Sequence, residues 1–474
     1  LLSYDVEMTE ITGGTFWKVY TDKQVSGEEE FGVDEFGENF YKNTDLLEYY
    51  PPLDLSDPIL FKPASALGKA YVRVSGAWAN KTYYDFSAEP NLNPPTGYEA
   101  VLTKKQWLNV LDYVKAINGK LLVSLAVCEG SFDENEEYKL DQVELLFKTS
   151  KDYGVPISAL EFLNEPGYMS MQGAPKWYNE EYFGRDHDKV HKWLKENYPE
   201  CLMVGLSCSF VSGEEPSYNN EVMDAYLGKN IKTYTVPTLF TNIKDKVDVY
   251  SYHYYNGISE RAMKMMPTLH WSSDKNLSKE YFACAKEIAK NNCKYRDQFS
   301  ESEEMWVTES GDAGGGGNTW ASTFTDIFRT LNELGSFSLV TKGIIFHNTL
   351  CSSDYGLLSP HEFKYRPNYY AAYLWQKLMG EEVYEGQFFD NLYIYCHNLK
   401  GSDKKVYLII NPNEEGFELD FMGEKQAYIL SSEIRSKRIY INDELMPESG
   451  EFTLNSKTYK NSINIKPYTC TFLF

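Results

Sequence analysis

Two glutamates carry the most chemical information in this chain. Glu165 lies in Leu163-Asn164-Glu165-Pro166, where an apolar run ends at a proline. Glu309 ends Trp306-Val307-Thr308-Glu309-Ser310, and a glycine run, Gly314–Gly317, follows it. Core packing gives no reason for a carboxyl group at Glu165, at the end of a buried strand; a loop carboxylate that caps a helix is the plainer alternative there. Together they suggest one reaction. Two carboxyl groups flanking a glycosidic bond suffice to cleave it, one protonating the leaving oxygen while the other attacks the anomeric carbon. A retaining pair stands ~5–5.5 Å apart, and opposite roles require environments that separate the two pKa values.

Several neighbours could serve such a pair. Backbone N–H groups in a glycine run can form an anion-binding nest suited to a sugar carboxylate; a flexible loop is the alternative. Tyr252-His253-Tyr254-Tyr255 ends another apolar run, and one of its hydroxyls is expected at Glu309, the others packing the rim. Trp78 either stacks on sugar or closes the end of the fold. Arg73 stands mid-strand, where a buried ion pair is its expected role. Asn80, His347, Asn348 and Tyr355 are further candidates. The chain has no Gly-x-Ser-x-Gly elbow, His-Glu-x-x-His pair or phosphate-binding glycine signature, so serine-hydrolase, zinc-protease and nucleotide chemistry find no support.

The elements that must position these residues alternate. Strands are expected near 1–8, 70–76, 120–126, 157–164, 201–207, 247–254, 305–309 and 343–348. Helical patterns fall at 104–118, 141–153, 181–197, 279–292, 319–334 and 367–379. Strands alternating with helices imply a parallel sheet, and eight such units imply a closed barrel. In such a barrel Glu165 and Glu309 share the rim formed by the strand C-termini, and strand alternation is expected to place Glu161, Leu163 and Glu165 on one face. Beyond residue 380 short strands separated by turns (Asn411-Pro412-Asn413, Ser449-Gly450) read as a β-sandwich. The expected architecture is α/β: a (β/α)8 TIM barrel over 1–380 and a β-sandwich domain over 381–474.

Composition narrows the partners. A net charge of −23 over 474 residues argues against nucleic acid, which demands a basic surface. No run of ~18 apolar residues is present, so no membrane span is expected. Aromatics reach 15%, which suits sugar stacking and equally a tyrosine-rich source. None of the eight cysteines forms a Cys-x-x-Cys pair, so no metal site is expected; Cys396 and Cys470 could pair, against the plainer reading of buried thiols. The start, Leu1-Leu2-Ser3-Tyr4, lacks Met and a basic segment and reads as processed, with a secreted or periplasmic location and a monomer expected. Asn80-Lys-Thr82 and Asn276-Leu-Ser278 are sequons at the frequency of chance.

Nearly the whole chain resembles glycoside hydrolase family 79, the heparanase and β-glucuronidase family. The stretch 248–379 carries most of it: Tyr-His-Tyr-Tyr, Trp-Val-Thr-Glu, the glycine loop, Asp354-Tyr355-Gly-Leu-Leu and a Tyr-rich last helix. Leu160–Pro166 resembles the family's acid/base strand, with Glu161 matching a carboxylate four residues upstream, and Ala70–Gly76 resembles its second strand. The resemblance implies a retaining β-glucuronidase with Glu165 as acid/base and Glu309 as nucleophile. It implies that Tyr254 contacts the nucleophile, and that Gly315 and Gly316 amides with Tyr355 hold the glucuronate carboxylate of a glucuronide-containing oligosaccharide or glycoconjugate. Asn164, His253, Trp78 and Asn348 complete the expected substrate-binding set. No cofactor is required. A short stretch between Tyr83 and Trp107, in place of a long excised linker, implies an uncleaved chain. Gly314 stands where heparanase has a tyrosine, and basic residues that would grip sulfate are not evident; both favour exo over endo cleavage. The alternatives are a barrel glycosidase for a neutral sugar, β-xylosidase-like, and a catalytically silent carbohydrate-binding protein.

Overall fold

The computed structural model describes residues 1–31, 45–211, 232–264, 266–389 and 391–474. Eight strands close a parallel barrel: β1 (Leu2–Glu7), β2 (Tyr71–Ser75), β3 (Lys120–Ser124), β4 (Ala159–Glu161), β5 (Leu202–Val211), β6 (Val249–Tyr255), β7 (Met305–Gly311) and β8 (Gly343–His347). Each is paired with its sequence neighbours, and β8 closes on β1 through Leu2 opposite Ile345. Between and after them run α1 (Pro58–Ala66), α2 (Lys104–Ala116), α3 (Asp141–Asp152), α4 (Glu180–Asn197), α5 (Val236–Thr241), α6 (Lys279–Phe299), α7 (Thr325–Val340) and α8 (Pro367–Leu378). The eight expected strands and the TIM-barrel class are therefore present.

Alternation along the strands explains both the barrel and the site. Even-numbered residues of β2, Val72 and Val74, join the large apolar cluster under the helices, whereas Tyr71 faces inward with Leu122, Ala159, Val204, Val249, Trp306, Ile344 and Phe346. These inward side chains plug the barrel at the N-terminal ends of its strands. Nearer the C-terminal ends the same inward positions turn polar: Arg73, Ser75, Ser124, Glu161, Ser207, Ser251, His253, Thr308 and Glu309 are all buried. Such a layer persists only if its members satisfy one another. Ser207 does much of this, donating to Glu161 Oε1 at 2.5 Å and sharing hydrogen bonds with Ser251 (2.7 Å) and Thr308 (3.0 Å). A charged layer above an apolar floor is the layout of a barrel that works at its C-terminal face.

From Met379 onward the chain forms an antiparallel sheet. It comprises β9 (Met379–Phe389), β10 (Leu392–Leu399), β11 (Lys405–Asn411), β12 (Phe417–Ser431), β13 (Tyr440–Ile441), β14 (Glu444–Leu445), β15 (Lys457–Ile465) and β16 (Thr469–Leu473). All eight are hydrogen-bonded into one sheet. β12 runs as one long strand with a register shift between Asp420 and Glu424. Its first half pairs with β15, its second with β16. One face of this sheet carries a small core of its own around Leu392, Ile394, Ile409, Ile463 and Ile465. The other face braces α7, whose residues Thr325–Phe337 are buried throughout. There Tyr395 donates to Asn332 Oδ1 at 2.8 Å, and a Cβ at Gly335 would stand 2.4 Å from the Tyr395 ring, so only glycine lets the helix lie this close.

All eight cysteines are free thiols. Cys396 stands opposite Tyr407 and Cys470 opposite Ile410; this offset along the sheet keeps them apart. Both sequon asparagines are buried, Asn80 because it is tied into the site described next. No described helix is long and apolar enough to cross a membrane.

Candidate active site

Arg73 organises the rim. It is wholly buried on β2 and its guanidinium donates in three directions: Nε to Glu161 Oε2 (2.9 Å), Nη1 to Glu309 Oε1 (2.9 Å) and Nη2 to Asn164 Oδ1 (2.8 Å). Asp5 on β1 lies 3.7 Å away. Nη2 also approaches His253 Nε2 at 3.2 Å. Because arginine can only donate, Nε2 accepts and the imidazole proton sits on Nδ1. Nδ1 faces both glutamates, 3.0 Å from Glu165 Oε1 and 3.4 Å from Glu309 Oε2. One oxygen of Glu165, one of Glu309 and His253 Nδ1 all lie within 4.8 Å of one another. Carboxyl oxygens approaching within 4.8 Å suit a retaining pair (~5–5.5 Å) better than an inverting one (~6.5–9.5 Å). The three groups are also near enough to surround a cation, but a protonated Nδ1 facing both glutamates and a guanidinium already on Glu309 make the set a poor metal cradle.

The two carboxyls sit in different surroundings. Glu309 is buried, with Oε1 on Arg73 and Oε2 accepting from the Tyr255 hydroxyl at 2.7 Å. Glu165 is partly open. It accepts from His253, and Gln172 donates to its other oxygen. Burial alone would push its pKa up; the hydrogen bonds from His253 and Gln172 outweigh burial and hold it below the usual range. Its backbone is in the left-handed region at φ 47°. The following proline disfavours the right-handed helical region and usually leaves the preceding residue extended, so Glu165 holds a strained conformation of the kind that clusters at functional sites. The alternation expected from Glu161 onward stops where β4 stops: Leu163 joins the apolar cluster, while Asn164 and Glu165 both reach the rim.

The tyrosine expected at the nucleophile position is corrected. Tyr254, an even residue of β6, faces outward into the apolar cluster, and its buried hydroxyl has no hydrogen-bond partner. Tyr255 shares the inward face with His253. Its hydroxyl donates to Glu309 and accepts from Asn348 Nδ2 at 2.9 Å. Burial, then the charge of Glu309, drives the Tyr255 pKa well above its ordinary value, so it stays a donor.

The remaining expected residues are placed as follows. Asn164, besides accepting from Arg73, donates to Gln172 Oε1 at 3.0 Å, and its backbone exchanges hydrogen bonds with the Asn80 side chain (3.2 Å each). Trp78 is half-buried at the rim with the Lys81 ammonium 4.3 Å over its ring. Gly315, Gly316 and Gly317 hold φ of 89°, 87° and 84°, a run that side chains would strain. Their carbonyls are occupied: Ser259 Oγ and Arg261 Nη1 donate to Gly315, Ser353 Oγ to Gly316, and Arg261 Nη1 to Gly317. Among the described residues no acceptor takes the Gly315 or Gly316 N–H. Tyr355 packs beside them, its ring 6.4 Å from that of Tyr255, and Phe16 packs against the cluster these two form with Ala321. His347 fixes this tyrosine from behind, donating to its carbonyl at 2.5 Å; burial lowers the His347 pKa to about 4, which keeps the ring neutral.

Sequence reasoning did not single out Glu7, Gln172, Tyr255 as the particular hydroxyl, Phe16, or Arg261 with Asp354. Glu7 ends β1, buried, where a Cβ at Gly76 would collide with its carboxylate at 1.5 Å. Burial, then Glu309 and Asp5, raises its pKa well above the ordinary carboxyl value. A carboxylate ending the first strand was the available signal for it; nothing in the local sequence marks Gln172.

A TIM barrel with two carboxyl groups facing each other on the C-terminal rim is the arrangement of a glycoside hydrolase. No protein-family profile matches the sequence. Curated relatives do. The chain is 24% identical to heparanase-like protein 1 of Arabidopsis thaliana, over 88% of this chain and 75% of that protein. It is 23% identical to hyaluronoglucuronidase of Hirudo nipponia, over 89% of each. It is also 30% identical to baicalin-β-D-glucuronidase of Scutellaria baicalensis, over 35% of each. Among solved structures, a 4-O-α-L-rhamnosyl-β-D-glucuronidase of Fusarium oxysporum 12S superposes with TM-score 0.59 at 11% identity, covering 97% of both chains. An α-L-arabinofuranosidase of Bifidobacterium longum gives the same score at 10% identity, over 99% of this chain and 95% of that one. The fold is thus shared by enzymes named for different sugars, and the sugar must be read from the site. The similarity to heparanase-like and glucuronidase proteins over most of the chain agrees with the resemblance to glycoside hydrolase family 79.

Proposed function

We propose that this protein is a retaining β-glucuronidase that removes terminal glucuronic acid from a glycoconjugate. The observation that carries the sugar assignment is the pair of unpaired amides at Gly315 and Gly316, beside Tyr355 and next to the two-carboxyl rim. Free N–H groups there suit the C5 carboxylate of a uronate, and a neutral sugar has no group that needs them. Exo cleavage is supported by the antiparallel pair Gly14–Trp17 with Leu47–Tyr50. Trp17 lies along the glycine run, 2.6 Å from where a Gly316 Cβ would stand, and Phe16 packs against the cluster of Tyr255, Ala321 and Tyr355. A sugar extending beyond the uronate on that side meets this wall.

In the proposed reaction Glu309 attacks the anomeric carbon while Glu165 gives its proton to the leaving oxygen. Arg73 and Tyr255 hold the attacking carboxylate by both oxygens until its Oε–C1 bond forms. Glu165 then takes a proton from water, which attacks the same carbon and releases Glu309 with overall retention. His253 and Gln172 favour the ionised form of Glu165, the base needed in the second step, so the first step requires proton uptake from an acidic medium.

The test is hydrolysis of matched aryl β-glucuronide and β-glucoside, which differ at the C5 carboxylate. Strong preference for the glucuronide with a β-configured first product supports the reading. Equal rates, preference for the glucoside, or an inverted product would overturn it. Glu309→Gln is expected to lower turnover by several orders of magnitude while the protein still binds glucuronate; unchanged turnover would remove Glu309 from the reaction.

A further inference from the structure

We infer that Arg261 is a positioning residue that sets specificity for the carboxylate by fastening the two halves of its subsite to each other. The inference rests on the uronate reading above. Arg261 lies just beyond β6 and is buried. Its Nη1 donates to the Gly315 carbonyl at 3.1 Å and the Gly317 carbonyl at 2.8 Å, bracketing the glycine whose amide lies between them. Its Nη2 donates to Asp354 Oδ2 at 2.8 Å, in the residue before Tyr355, and to the Lys18 carbonyl at 2.5 Å, in the residue after Trp17. One side chain therefore ties together the glycine loop after β7, the tyrosine loop after β8 and the aromatic wall after β1.

The geometry leaves little freedom in this arrangement. A Cβ at Gly316 would stand 2.8 Å from Nη1, so the loop is drawn down onto the guanidinium and side chains there would lift it. Tyr20 lies over the guanidinium, 3.9 Å from its ring centre, and its hydroxyl donates to the Gly317 carbonyl at 3.0 Å. Asp354 takes the Tyr20 N–H in turn, at 3.2 Å. Arg366 holds the far side, donating to the Ser353, Asp354 and Gly356 carbonyls around Tyr355. With every carbonyl of the glycine run engaged, the Gly315 and Gly316 amides are the polar groups left for a ligand. Three left-handed glycines in succession are otherwise the least restrained backbone available. A planar fork that donates to two carbonyls and a carboxylate at once is what arginine supplies and lysine does not.

The experiment compares wild type, Arg261→Lys and Arg261→Met on matched aryl β-glucuronide and β-glucoside, with competitive inhibition by D-glucuronate as a binding readout. The expected result is that kcat/KM falls at least tenfold more for the glucuronide than for the glucoside in Arg261→Met. The inhibition constant of D-glucuronate should rise by a similar factor, and Arg261→Lys should recover only part of both. A glucuronide-to-glucoside ratio and an inhibition constant that match wild type, in whichever variant folds, would overturn the inference, as would full recovery by lysine. A wild-type enzyme with no preference for the glucuronide would instead sink the uronate reading, before any variant is measured.

Discussion

Replacing Tyr255 by Phe removes one oxygen that serves two neighbours. The Tyr255 hydroxyl donates to Glu309 at 2.7 Å and accepts from Asn348 Nδ2 at 2.9 Å. A hydrogen bond to a charged partner contributes about 1.5–3 kcal/mol, and about 1.4 kcal/mol is a tenfold change in rate. The Asn348 carbonyl oxygen already lacks a partner, so the variant also leaves the amide nitrogen unpaired and belongs at the upper end. Turnover of an aryl β-glucuronide should fall about 100-fold, with KM moving less because the lost contact is to the proposed attacking carboxylate and not to the sugar. Tyr254→Phe is the matched control. Its hydroxyl is buried without a partner, so its removal should leave turnover near wild type and the urea midpoint equal or higher. Loss of activity in Tyr254→Phe with retention in Tyr255→Phe would refute the assignment of the inward face of β6.

Three further outcomes follow from the charges around Arg73. Glu165 must carry a proton to act as the acid, so kcat/KM should be highest in acid and decline as pH rises through its lowered pKa; His253→Phe removes the leading hydrogen-bond donor and should move that decline to higher pH, and a pH–rate profile that moves the other way would contradict the role of His253. Arg73→Met leaves Glu161, Glu309 and Asn164 without their buried donor and should cost about 3–5 kcal/mol of stability, read as a lower urea midpoint with an unchanged slope. Asp5 is pushed well above its ordinary pKa by burial, with Arg73 opposing; a raised carboxyl stabilises below its unfolded pKa and loses that contribution as pH rises, so Asp5→Asn should flatten the fall in wild-type urea midpoint between acid and neutral pH, and parallel curves would show that Asp5 takes up no proton on folding.

The barrel was legible because its signal is repetitive. Eight apolar runs separated by helical stretches admit few topologies, and all eight formed strands near the expected positions. Chemistry-bearing side chains at strand ends were legible for a related reason: a carboxylate after Leu163-Asn164 or Val307-Thr308 has no packing explanation. What failed depended on phase. Choosing Tyr254 over Tyr255 required knowing which parity of β6 faces inward, and four aromatic or near-aromatic residues in a row carry no polar–apolar alternation to show it. His253, already a site candidate, held the answer, since it shares a face with Tyr255. The glycine loop was visible as composition, yet its anchor was not, because Arg261 and Asp354 are distant in sequence from Gly315 and pair only through the folded loops. In β9 and β15 the strand signal is weak for a third reason: Glu381, Glu382, Glu385, Lys457 and Lys460 are exposed, and pairing with neighbouring strands, not apolar alternation, defines them.

The rim is best understood as an imbalance of charge that the fold maintains. Below it lies an apolar plug, so charges there are poorly screened. Into this layer the strands bring Asp5, Glu7, Glu161, Glu165 and Glu309 against one arginine. A single guanidinium cannot serve them all, and it spends its donors on Glu161, Glu309 and Asn164. Asp5 and Glu7, left to burial and to repulsion from Glu309, are driven toward their neutral acids. The effect is to sort five carboxyls by partner: one held by two donors, the attacking group of the proposed reaction; one beside an imidazole proton, its proposed acid and base; one locked under the guanidinium; and two kept from adding further negative charge. Removing the arginine would undo the sorting for all five at once, which is why Arg73→Met should be worse for activity than the loss of its hydrogen bond to Glu309 alone, and why Arg73→Lys, one point charge without the fork, should restore stability better than turnover.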